Sequence, residues 1–340
     1  MTTTTLHPAL RARCAHRSTA KVAAWVAVAA GLASWAASPA LAAYPDKPVK
    51  VLVGSPPSSP SDITARLLAE KLAERWKQTI TVENRPGAGN SLAAQQVAQA
   101  PADGLTLLVT PDTVVTVNPH IYKNLKFDPL AGLTPVATLA SWTQVLACNG
   151  NTKIESVAQL VQAARARKIN YSSGGSGTPG HLAGELFAAA AGIDLDHVPY
   201  KGPAPALQDL LGGQVDCSFI AIATLMPHVN SGKLKALAVS GAQPSPWLPG
   251  VPTFAQALNK PGTDATFRLL LMVPKATPPA IVSDIETAVI ETLKRPDVQE
   301  RLRAAALEAR AASSSETLAT LTAEMPRWAA LVKRLGLSLD

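Results

Sequence analysis

Two stretches of this chain carry residue types suited to holding a negative charge. One runs Gly54, Ser55, Pro56, Pro57, Ser58, Ser59, Pro60, Ser61, Asp62; the other runs Ser172, Ser173, Gly174, Gly175, Ser176, Gly177, Thr178, Pro179, Gly180, His181. Each follows a short apolar run, at 51–53 or at 169–171, and each leads into a helical pattern. In both, a hydroxyl residue is followed at once by proline, which suits an N-cap and first helical position because proline has no N–H to leave unpaired there. The free N–H groups and positive dipole end of such a helix start favour an anion. Ser55, Ser58, Ser59 and Ser61 are candidate hydroxyl donors to a carboxylate. Asp62, three residues after Ser59, approximates a capping box, so its simpler role is at its own helix start, with ligand contact second. In the other loop Ser173, Gly174, Gly177 and Thr178 offer hydroxyl and backbone groups, and His181 is a candidate donor to the anion or to the loop backbone. Backbone N–H groups in both loops are expected to carry much of the binding.

The second loop also matches two other chemistries. Gly175, Gly177 and Gly180 satisfy G-x-G-x-x-G between a strand and a helix, with Asp196 where an acidic ribose partner would stand. A lone match of this kind is weak evidence, and an exported chain has little access to nicotinamide cofactors. A serine hydrolase would use Ser176 with His181 one turn into the helix, but the run 174–178 misses G-x-S-x-G at its last position, and no acidic residue is obviously placed to orient the histidine.

The elements that position these loops alternate in kind. Strands are expected at 50–53, 80–82, 105–109, 169–171, 195–198, 216–221 and 234–239. Helical patterns lie between them, including 91–100, 156–166 and 181–191. This is the pattern of crossover units on a mostly parallel sheet, and it implies two α/β units. The apolar segment 135–149 is suited to run from one unit to the other, and 267–273 to return. Helices over 281–293 and 314–335 close the chain, and 244–252 reads as a surface loop. Ala88 and Gly89 follow the second strand, Asp112 and Thr113 the third, and Ile220 and Ala221 end another. Ligands of open α/β sheets bind beyond the carboxyl ends of such strands.

Composition narrows the class. Arg11, Arg13, Arg17 and Lys21, an apolar core over 22–37 and the small residues Ala40, Leu41 and Ala42 read as an export signal over 1–42. Removing 42 of the 340 residues leaves 298, enough for two domains. The four basic residues of the leader lower the formal charge from +7 to +3, too little to argue for nucleic acid. No metal-binding cluster and no cofactor motif beyond the weak glycine match is present. Cys148 and Cys217 fall in strand-like apolar runs; a buried thiol pair is expected ahead of a disulfide, since spacing does not show that the side chains meet.

Several longer motifs, in order, resemble the substrate-binding proteins of tripartite tricarboxylate transporters, the Bug family. They begin with Tyr44-Pro45-Asp46-Lys47-Pro48-Val49 and Asp62-Ile63-Thr64-Ala65-Arg66-Leu67-Leu68, and continue through Glu83-Asn84-Arg85-Pro86-Gly87-Ala88-Gly89 and Pro101-Ala102-Asp103-Gly104. His197-Val198-Pro199-Tyr200-Lys201-Gly202 and the run from Ala206 to Val215 are the most specific. The resemblance implies a type II periplasmic-binding fold of two α/β lobes joined by crossing strands, with lobe 1 at 43–144 plus 267–340 and lobe 2 at 145–266. It also implies a monomer that closes on a small organic carboxylate, without cofactor or covalent chemistry, and delivers it to membrane subunits in the manner of the family; a receptor feeding a signalling partner is the alternative. The family commonly has a glycine pair where this chain has Ser58 and Ser59. Many relatives place an acidic residue where this chain has Ile220 and Ala221, which argues against an amino-acid ligand.

Overall fold

The computed structural model describes residues 1–2, 44–123 and 127–339. The expected export signal falls almost wholly outside them. The architecture below is that of the compact unit Pro45–Asp340.

Its strands are β1 (Val49–Val53), β2 (Ile80–Asn84), β3 (Thr106–Pro111), β4 (Leu133–Asn149), β5 (Asn170–Ser173), β6 (Asp196–Pro199), β7 (Cys217–Ala221), β8 (Leu234–Val239), β9 (Thr266–Pro274) and β10 (Glu308–Ala312). They hydrogen-bond in the order β2-β1-β3-β9-β4-β7-β5-β6, with β8 and β10 also on β4. Strand β1 lies parallel to β2 and β3, and β5 lies parallel to β6 and β7, as crossover helices require.

The 17-residue strand β4 joins the two halves. Residues Leu133 to Thr143 pair with β9, and Gln144 to Cys148 pair with β7. One edge-to-edge strand thus serves both halves, and β9 returns the chain between β4 and β3. Each half has its own apolar core. Leu52, Leu108, Val115, Leu270 and Met272 pack in one; Val145, Leu207, Leu210, Ile220 and Leu225 pack in the other.

Two differences from the sequence reading have simple causes. Cys148 and Cys217 form a disulfide, because they are direct cross-strand partners on β4 and β7; a sequence separation of 69 gives no hint of that register. The short edge strand β10, rich in alanine and charged residues, has no apolar alternation to announce it, and antiparallel pairing with β4 creates it. The loop at 244–252 is anchored as well as exposed. Leu248 is buried, and the Trp247 indole donates to the Arg303 carbonyl at 2.9 Å.

Candidate functional site

Both hydroxyl-proline pairs start helices. Ser59 is the N-cap of the helix Pro60–Trp76, with its Oγ accepting from the Asp62 N–H at 3.3 Å and donating to the Pro56 carbonyl at 2.7 Å. Thr178 is the N-cap of the helix Pro179–Ala191, but its hydroxyl donates back to the Gly175 carbonyl at 2.6 Å and caps nothing. The N–H groups of Gly180 and His181 therefore have no side-chain cap. The helix starts tight against β7, where a Cβ at Gly180 would be driven into the Phe219 carbonyl oxygen. Only glycine allows that approach.

Between the loops lies a cleft with about 70 Å³ of enclosed space, or about 520 Å³ when its open mouth is counted. Ser55, Ser59, Ser61, Gly174, Thr178, Ile220 and Ala221, all candidates from sequence, line it. Ser55 Oγ donates to Asn90 Oδ1 at 2.8 Å and lies 3.3 Å from Ser61 Oγ, so the first jaw is held as a hydroxyl–amide chain. The jaws touch on either side of the cleft. The Tyr122 hydroxyl donates to the Ser176 carbonyl at 3.2 Å, and Gly202 has no room for a Cβ against the Pro56 ring.

The other candidates stand outside the lining. Asp62 is buried; desolvation would raise its pKa, but hydrogen bonds from Arg66, Asn84 and the Ser58 N–H outweigh that and hold it below the usual carboxylate range. Both its oxygens are engaged, Oδ1 by Arg66 and Asn84 and Oδ2 by the Ser58 N–H, so it ties the loop to the helix and to β2. Ser58 is exposed, at φ 63°, a backbone conformation that favours glycine. Ala88 is exposed; Gly89 is buried against Tyr122 and Asn118, the latter donating to its carbonyl. Asp112 turns to Arg268 on β9, 3.5 Å away, and burial raises its carboxyl to about 7; Thr113 is fully buried beside it.

Behind the second loop, His181 is an acceptor. Its Nδ1 takes the Gly177 N–H at 3.2 Å and its ring stacks on His197 at 4.2 Å, so the side chain holds the loop. Desolvation lowers its pKa to about 4, and that of His197 to about 3 with the neighbouring His181 adding to it. Ser173 is fully buried with its Oγ 2.7 Å from His197 Nε2.

The hydrolase arrangement is not assembled. Ser176 offers its carbonyl to Tyr122, while His181 Nδ1 is occupied and its Nε2 lies 3.8 Å from Glu185 Oε1. That glutamate, one turn along the helix, is the acidic neighbour the sequence reading did not find. The serine–histidine contact that does form, Ser173 with His197, is closed to substrate by burial. Nor does Asp196 serve a dinucleotide: it is exposed at the start of β6 and pairs with Lys168.

Lining residues not singled out from sequence include Asn90, Pro111, Trp142, Gln144, Pro203 and Phe219. Asn90 directly follows a flagged pair. Trp142 and Gln144 alternate on β4, a spacing that signals one shared strand face but not what that face meets.

Two α/β halves sharing long crossing strands, with a cleft where paired loops meet, define the periplasmic binding-protein architecture. The chain belongs to the tripartite tricarboxylate transporter family receptor family, whose sequence profile matches residues 64–337. It is similar to the periplasmic binding protein BugD (30% identity, TM-score 0.81, 87% of this chain and 100% of that one). It is also similar to R. palustris Rpa4515 with adipate (31%, 0.82, 87% and 99%). A third similar structure is MatC (Rpa3494) from Rhodopseudomonas palustris with bound malate (28%, 0.80, 85% and 100%). Among the described residues no helix is long and apolar enough to cross a membrane.

Proposed function

We propose that this chain is an exported, monomeric receptor that captures a small organic carboxylate between its two loops and delivers it to the membrane subunits of a tripartite transporter. It performs no covalent chemistry. The observation that carries the reading is the uncapped helix start at Gly180 and His181, facing the hydroxyl–amide chain of Ser55, Ser61 and Asn90 across the cleft. Hydrogen bonds to a charged group contribute roughly 1.5–3 kcal/mol each, so a few donors from both sides suffice for tight binding. The carboxylates bound by Rpa4515 and MatC support the ligand class.

Closure follows from two-sided contact. Residues 43–144 with 267–340 form one lobe and 145–266 the other, hinged on β4 and β9. A ligand that touches both jaws has higher affinity for the closed arrangement and shifts the population toward it. The test is native mass spectrometry of the purified mature protein for a co-purified acid, together with a thermal-shift panel of carboxylates. An acid at about 100 times its dissociation constant adds roughly 2.7 kcal/mol of stability. No shift with any member of a broad panel would overturn the reading, as would turnover of an ester abolished in Ser176→Ala.

A further inference from the structure

We infer that the cleft selects a monocarboxylate whose remaining body is uncharged and largely apolar, with Trp142 and Gln144 of β4 as the residues that read that body. This rests on the carboxylate-receptor reading and names its substrate class.

No Asp, Glu, Lys, Arg or His lines the cleft. The ionisable groups behind the lining face other partners: Asp62 takes Arg66 and Asn84, Asp112 Oδ2 lies 3.5 Å from Arg268 while its buried Oδ1 has no partner, and His181 Nδ1 takes the Gly177 N–H. One carboxylate is matched by the N–H groups at Gly180 and His181 and by the first jaw's hydroxyl and amide donors. A second carboxylate, or an ammonium group, would enter the floor without a counter-ion, and an unpaired charge taken out of water is strongly disfavoured. Beside those donors the lining includes Pro111, Trp142, Ile220 and Ala221, flat or aliphatic surfaces suited to a ring or branched chain.

Gln144 gives the floor its one adaptable polar group. It is 4% exposed, its backbone N–H is taken by Ser240 Oγ, and its carboxamide has no partner among the described residues. The Trp142 indole N–H, on the same strand face, also lacks a partner. The carboxamide opens on the cleft, where it can both donate and accept, and being neutral it fits a neutral substituent such as a hydroxyl, keto or ether oxygen.

The test uses the mature protein, freed of co-purified ligand by unfolding and refolding, in calorimetric titrations with three groups of probes. These are monocarboxylates (benzoate, 4-hydroxybenzoate, 3-phenylpropionate, 4-methylpentanoate), dicarboxylates (adipate, malate) and an amino acid (glutamate). The expected result is that the best monocarboxylate binds at least about tenfold more tightly than any dicarboxylate or glutamate. Trp142→Ala should weaken that monocarboxylate by about tenfold or more, while Trp142→Phe, which keeps a flat wall, should stay within about threefold. Ile220→Asp, which supplies the missing counter-charge, should lower monocarboxylate affinity by about tenfold and raise that for glutamate. Circular dichroism of each variant guards against reading misfolding as lost binding, and the two Trp142 variants test the same wall with different volume. A dicarboxylate or glutamate binding most tightly would overturn this inference and leave the carboxylate-receptor reading standing. Binding by none of the three groups would overturn both.

Discussion

Acid should weaken this fold through His181. Its ring is buried, its Nδ1 accepts the Gly177 N–H, and its face lies on His197; desolvation holds its pKa at about 4, against 6.5 in an open chain. Between these values the unfolded chain binds a proton that the folded chain refuses. Stability is therefore intact above pH 6.5 and falls as the pH drops toward 4. Passing the two constants through the linkage relation gives about 2 kcal/mol lost at pH 5 relative to pH 8. Asp112 acts in the opposite sense: its carboxyl, raised to about 7 from 3.8, takes up a proton more readily in the folded state, which adds about 2.5 kcal/mol over the same interval. The wild-type curve mixes these two with His197, which burial and the neighbouring His181 hold at about 3 and which also loses stability in acid, so the difference from a variant is what isolates His181. His181→Asn keeps an acceptor near the Nδ1 position and cannot titrate. Urea unfolding at pH 8, 6.5 and 5 should show the variant less stable at pH 8, with the gap narrowing by about 2 kcal/mol at pH 5. A gap that stayed constant to within about 0.5 kcal/mol would refute the claim that the folded state excludes this proton.

Three further outcomes follow from the geometry. Gly180→Ala drives a methyl into the Phe219 carbonyl, so it should cost about 1–3 kcal/mol in urea unfolding and abolish ligand-induced stabilisation, because the helix start that seats the anion must move. Replacing Cys148 and Cys217 together by serine should lower unfolding free energy by about 2–4 kcal/mol while leaving the far-ultraviolet spectrum unchanged, since the register of β4 and β7 is also fixed by backbone bonds. Tyr122→Phe removes a hydrogen bond across the cleft, worth about 0.5–1.5 kcal/mol in the closed state; calorimetry should show Kd rising by up to about tenfold, chiefly through faster release in stopped-flow measurements.

The local sequence determined a great deal. Hydroxyl-proline pairs set both helix starts, because capping and the missing proline N–H are chemistry of adjacent residues. Alternating short apolar runs and helical periods set the α/β class, and the segment 135–149 was legible as a crossing strand from its length and apolarity. Tertiary structure decided which side chains face the cleft. Asp62 and Asp112 have the right chemistry at the right strand ends, yet partners brought from Asn84 and Arg268 turn them away. His181 lies at the third helical position, and the Gly177 N–H brought to its Nδ1 makes that nitrogen an acceptor. Trp142 and Gln144 gain their place only because the second half of the chain returns beside β4. Burial and hydrogen-bond commitment depend on contacts far apart in sequence, and a strand's periodicity says which residues share a face without saying what that face will meet.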